Sequence, residues 1–233
     1  MVIGSDMPSA IDKQFDDLQR QIGEMKNRIA LPAYVNTSGE QSRILAHFLV
    51  RALQMSEASD LVSRAKLGTP LAALTRILCE DLFLCFWVSR SEKDAAEYSS
   101  AVRSEALRLV RIMAENGRGT FRRASTHEDK TGEVLQRLKQ EKTDSVKIEQ
   151  LAARLGLRKV YDLLYRYPSM EVHGKAFGLP SQSEEGGILA ALSAIVALVK
   201  TIGAIADNRV LRSQATTAAE IINFLRLDGI AGT

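Results

Sequence analysis

Apolar side chains recur along this chain at helical spacing almost throughout. Ile11, Phe15, Leu18, Ile22, Met25 and Ile29 follow a 4-3-4-3-4 order, a coiled-coil-like seam, with Ser9 placed to cap the helix and Pro32 closing it. Two readings stand for residues 1–35: a helix docked on its own domain, or a dimerisation arm. A second helix runs to about Arg64, with a capping-box pattern at Ser38 and Gln41. Leu45, Phe48, Leu49 and Leu53 make its apolar side; Arg43, His47 and Arg51 line the other side and read as a solvated face.

Residues of about 70–89 form the most apolar helix, with Thr69 as N-cap and Pro70 at the first helical position. It is apolar nearly all round, through Leu71, Leu74, Leu78, Leu82, Phe83, Phe86, Trp87 and Val88, which places it at the centre of a bundle. It nonetheless carries Arg76, Glu80 and Asp81. Buried charges are costly unless paired, so these three need partners.

Ser91 and Asp94 open a fourth helix ending near Gly117, and residues 116–132 read as an exposed loop carrying Arg118, Phe121, Arg122 and Arg123. Shorter helices follow over about 133–142, from Asp144 to Gly156, and over about 158–167. Ile148 to Leu157, followed by Arg158 to Arg166, has the form of a helix-turn-helix. The apolar Val160, Tyr161, Leu163 and Leu164 favour an ordinary αα-hairpin over a DNA-reading helix. A loop is expected over 174–185, then helices over about 187–207 and 210–226. No strand-period segment and no fixed repeat occurs. The expected fold is an all-α multi-helix bundle, with 36–233 as a single helical-bundle domain.

Composition narrows this picture little. The chain has 233 residues, 45% hydrophobic and 25% charged, with a net charge of +3. That charge does not by itself point to nucleic acid or a membrane surface. Cys79 and Cys85 read as reduced core thiols, which together with the absence of a signal-peptide pattern suggests a cytoplasmic protein. The apolar run from Gly186 to Ala206 is interrupted by Lys200 and reads as a buried bundle helix, so no membrane partner is expected. No P-loop, GxGxxG, HExxH or GxSxG pattern is present, and neither a cofactor nor a metal is expected.

The densest chemistry lies in Arg166-Tyr-Pro-Ser-Met-Glu-Val-His173-Gly174. Pro168 is expected to break the helix there and set Arg166, Ser169, Glu171 and His173 on a bend. In a compact bundle that bend can meet Arg76 and Glu80, which lie one turn apart, together with Asp81 and Tyr165. The cluster is either a buried network fixing helix register or the lining of a polar cleft.

Residues 74–88 (LTRILCEDLFLCFWV) and 155–174 (LGLRKVYDLLYRYPSMEVHG) resemble a bacterial family of uncharacterised helical proteins. The shared marks are Arg76-x-x-x-Glu80 and a Tyr…Ser-x-x-x-His segment, here Tyr161 or Tyr165, Ser169 and His173. The likeness spans roughly 40–205 and implies a fold, not an activity. A weaker resemblance, through Arg166 and His173 with six residues between, is to the HEPN superfamily, many of whose members are metal-independent ribonucleases of toxin–antitoxin and anti-phage systems. Tyr167 and Pro168 depart from its usual pattern. That resemblance implies His173 as general acid or base, Arg166 stabilising charge on the phosphate and Ser169 orienting it. It also implies a homodimer, RNA as a partner held by Arg118, Arg122 and Arg123, and an antitoxin-like protein partner. Two functional expectations follow: a non-catalytic binding or scaffolding module, and a HEPN-like ribonuclease.

Overall fold

Helices account for nearly all of the computed structural model, which describes residues 9–117, 120–140, 146–172 and 184–225. In chain order they are α1 (Ala10–Ile29), α2 (Pro32–Val35), α3 (Glu40–Arg64), α4 (Gly68–Arg90), α5 (Glu92–Glu115), α6 (Thr131–Gln140), α7 (Ile148–Arg154), α8 (Arg158–Val160), a π-helical segment (Tyr161–Arg166), α9 (Tyr167–Val172), α10 (Glu184–Arg212) and α11 (Ala218–Phe224). No strand occurs among the described residues; one isolated antiparallel bridge joins Arg122 to Asp129. The all-α bundle is the expected fold.

The apolar helix α4 is the axis of the bundle. Leu71, Leu78, Cys79, Leu82, Phe83, Cys85 and Val88 are fully buried, and α3, α5, α7, α9, α10 and the π segment all pack against it. An all-round apolar surface needs neighbours on every side, and this arrangement supplies them. The second apolar helix, α10, packs on α1, α3 and α4 through Leu192, Ile195, Leu198, Val199, Ile202 and Ile205. It is long and apolar enough to cross a membrane by length and composition, and half of its most apolar stretch is buried inside the fold.

Helix α1 starts at a capping box in which the Ser9 hydroxyl accepts from the Asp12 N–H while the Asp12 carboxylate accepts from the Ser9 N–H. Its seam residues Leu18, Ile22 and Met25 are buried within the same chain, where α1 lies on α3 and α10. Beyond the seam, Arg28 Nε donates to Asp207 Oδ2 of α10 at 2.8 Å, and the Tyr34 hydroxyl donates to Asp207 Oδ1 at 2.6 Å. Burial, followed by the bond to Asp207, pushes the Tyr34 hydroxyl well above the usual phenol range.

Several local expectations are corrected. Helix α3 is capped at Gly39 without a side-chain bond. Gln41 is buried instead, its amide donating to the Val88 carbonyl at 2.7 Å and accepting from Arg209 Nε at 2.7 Å. Helix α4 begins at Gly68, so Thr69 and Pro70 lie within its first turn, where a missing N–H costs no intrahelical bond. The helices expected over 187–207 and 210–226 are a continuous α10 to Arg212, a turn at Ser213 with φ of 54°, and a short α11 capped by Thr217 and Glu220. Asp144 and most of the expected 174–185 loop lie outside the described residues.

Candidate functional site

Between α7 and α8 the chain turns at Gly156, whose φ of 73° is the left-handed conformation that ends many helices. The Leu157 N–H donates to the Ala152 carbonyl at 2.8 Å and the Gly156 N–H to the Ala153 carbonyl at 3.1 Å, closing a Schellman-type cap. The pair is an αα-hairpin seated on α4. Val160 is buried, Tyr161 and Leu164 pack on the core, and Arg158 is held by Glu149 at 2.9 Å and Asp162 at 3.1 Å.

Pro168 does not break the helix. The chain runs from Arg158 to Val172 as consecutive helical segments, with the π segment immediately before Tyr167 and Pro168. A proline interior to an α-helix lacks an N–H and its ring collides with the carbonyl four residues earlier, here Leu164. The wider π turn accommodates that mismatch without ending the helix, and such turns are common at functional sites. Tyr165, Arg166 and Ser169 therefore sit on a continuous run of helical segments, not beyond a helix end.

This run divides the expected constellation. Tyr165 faces α4: Arg76 Nη2 donates to its hydroxyl at 3.3 Å, and the Arg76 guanidinium carbon lies 5.2 Å from the ring centroid. Tyr161 stacks on Tyr165 at 5.0 Å, and Arg158 caps the other end of the pair at 5.4 Å from the Tyr161 ring. The order Arg158, Tyr161, Tyr165, Arg76 is a column of two stacked rings with a cation at each end. Arg166 points elsewhere. Its side chain is 62% exposed, and among the described residues its acidic partner is Asp162, at 3.8 Å. Ser169 is half-buried one turn further on. Glu171 lies on α9, and only its backbone is described; His173 and Arg118 lie outside the described residues. Arg122 and Arg123 are exposed on a short turn between α5 and α6, where Lys130 N–H donates to the Phe121 carbonyl at 2.7 Å.

The buried charges of α4 find separate partners. Asp81, 3% exposed at its side chain, accepts from Arg51 Nε at 3.2 and 3.1 Å. Burial raises the Asp81 carboxyl and the Arg51 bond opposes it. Arg51 read as part of a solvated face; periodicity could not reveal its partner, because the pair joins two helices. Glu80 is raised first by burial and next by the adjacent Asp81, with Arg76 and Arg51 pulling it back. Arg76 is left incompletely satisfied, since its Nε is buried without a hydrogen-bond partner among the described residues. Among those residues no group of His, Cys, Asp and Glu is arranged to hold a metal ion.

Residues 42–186, which contain Arg51, Arg76, Glu80, Asp81, Tyr165 and Ser169, match a family of unknown function, DUF5677. The chain belongs to that family. No curated protein and no solved structure matches it. The DUF5677 region runs from the start of α3 to the start of α10, so it holds the whole α4–π-segment contact. Helix α1 and nearly all of α10 lie outside it but complete the core.

Proposed function

We propose that this chain is a binding module whose ligand presents an acidic group to Arg76, at the contact between α4 and the π segment. The observation that carries the reading is the buried Arg76 Nε, a charged donor without an acceptor, on a guanidinium already positioned by Tyr165. Buried donors are almost always paired, so an orphan of this kind marks a place for a water, an ion or a ligand. The stacked Tyr161–Tyr165 pair stiffens the arginine's support, which lowers the ordering cost of binding. Calorimetric titration with inorganic phosphate and with a short RNA tests it. Arg76→Gln should weaken whichever binds by about tenfold or more, the loss expected for a charge-assisted bond. Binding by neither, or an unchanged affinity in the variant, overturns it.

A second reading keeps the ribonuclease chemistry of Arg166, Ser169 and His173. The observation favouring it is the exposure of Arg166, loosely paired to Asp162 and one turn from Ser169 on a continuous helix. An exposed pair of this kind holds an arginine weakly, so a phosphate can take it over. Incubating the purified chain with RNA in excess chelator, beside Arg166→Ala and His173→Ala, separates the readings. Cleavage lost in both variants without loss of melting temperature supports catalysis, and intact RNA with the wild type removes it.

A further inference from the structure

A groove near the C-terminal end of α4 stands apart from the Arg76 site. Trp87 lies eleven residues after Arg76, about 16 Å along the helix. Trp87, Val146, Lys147, Gln150, Leu151 and Arg154 line this open groove, which has a volume of about 300 Å³. That is the lower end of the size range of small-molecule sites.

Its lining is chemically one-sided. Three residues are apolar, two are cations, one is an amide, and none is an acid. Two nearby carboxylates among the described residues already have partners. Glu149 pairs with Arg158, and Asp94 accepts from the Trp87 indole N–H at 3.0 Å and from the Ser91 hydroxyl at 2.8 Å. Among the described residues neither Lys147 nor Arg154 takes part in an ion pair. Arg154 is nonetheless held in place: its guanidinium carbon lies 4.9 Å from the Trp87 ring centroid. The indole is fixed in turn by its bond to Asp94 and by the edge-on Tyr98 ring at 6.2 Å. A guanidinium stacked on one face keeps its second face and its in-plane donors free. A carboxylate can meet the in-plane donors of Arg154 and the ammonium of Lys147 while the planar ring that carries it lies against the apolar lining of Val146 and Leu151.

We propose that this groove binds a small aromatic anion, a single planar ring carrying a carboxylate. The groove volume suits a ligand of about that size, and the amide of Gln150 offers a polar contact that orients it. Neutral rings lose the two cationic contacts and bind less well.

Trp87 is the chain's one tryptophan, so its emission reports on the groove directly. The full chain is titrated with benzoate, with its neutral isostere benzamide as control, and a ligand-observed NMR titration serves as a second readout. Benzoate is expected to change Trp87 emission saturably with a Kd of roughly 1 mM, the range set by so few atoms. Benzamide, and benzoate with Lys147→Gln or Arg154→Gln, should bind about tenfold more weakly by both readouts. Lys147 and Arg154 are exposed, so both variants should retain the wild-type circular dichroism. Equal affinity for benzoate and benzamide, unchanged affinity in both variants, or no saturation below about 20 mM overturns the proposal. Because the Arg76 site is untouched, Arg76→Gln should leave benzoate binding as it is, which separates this groove from that site.

Discussion

Arg76 and Tyr165 stand 89 positions apart in the chain and meet twice, through a hydroxyl at 3.3 Å and through the ring face at 5.2 Å. One arginine thus fastens the central helix to the π segment, and it does so with a donor left over. Tyr165→Phe keeps the ring and removes only the hydroxyl. It should cost about 0.5–1.5 kcal/mol in urea denaturation, the net worth of one hydrogen bond. Any anion affinity should survive it, whereas Arg76→Gln should weaken that affinity by about tenfold or more. Equal effects of the two changes on binding would mean that the pair is purely structural.

Glu80 gives a pH signature. Its folded carboxyl is raised by burial and by Asp81, so the folded state favours the protonated acid. A raised group contributes stability below its unfolded pKa and loses it as pH rises through the folded value. Glu80→Gln removes that loss. The variant should melt above the wild type at about pH 7–8, and the difference should close near pH 4. A wild type more stable than the variant at neutral pH would show that the attraction of Arg76 outweighs burial.

Asp207 joins two partners that hold α1 and α2 on α10. Arg28 and Tyr34 both donate to it, and its side chain is only 20% exposed. Asp207→Ala leaves a half-buried arginine and a buried phenol without their acceptor. The expected cost is about 2–4 kcal/mol, or roughly 4–16 °C in Tm for a chain of this size. Hydrogen exchange should show α1 losing protection before α3 and α4. Uniform loss across the bundle would argue against a local fastening.

Gly156 turns the chain from α7 into α8 at φ of 73°, and a Cβ there would sit 3.5 Å from the Ala218 Cβ, in ordinary contact. The cost of Gly156→Ala is therefore backbone strain alone, about 1–2 kcal/mol. Thermal melting reads it. A neutral substitution would mean the turn relaxes into another conformation.

The fold was legible because helical periodicity is local. The apolar surround of α4, the caps at Ser9 and Ser91 and the turn at Gly156 each follow from neighbouring residues. Local signals also misled. Pro168 looked like a helix end, but the π segment lets the helix pass through it. Arg51 looked solvated, but Asp81 of the next helix takes it up.

By itself, the sequence determined which segments are helical, that α4 lies at the centre, and that its charges need partners. Only the tertiary structure decided who those partners are. It gave Arg76 to Tyr165 and Asp81 to Arg51, turned Arg166 out to solvent, and placed the α1 seam on α3 and α10. Helical propensity and capping act within a few residues, whereas pairing of buried charges depends on which helix faces come together. That is set by packing across the whole core, and no spacing along the chain encodes it locally.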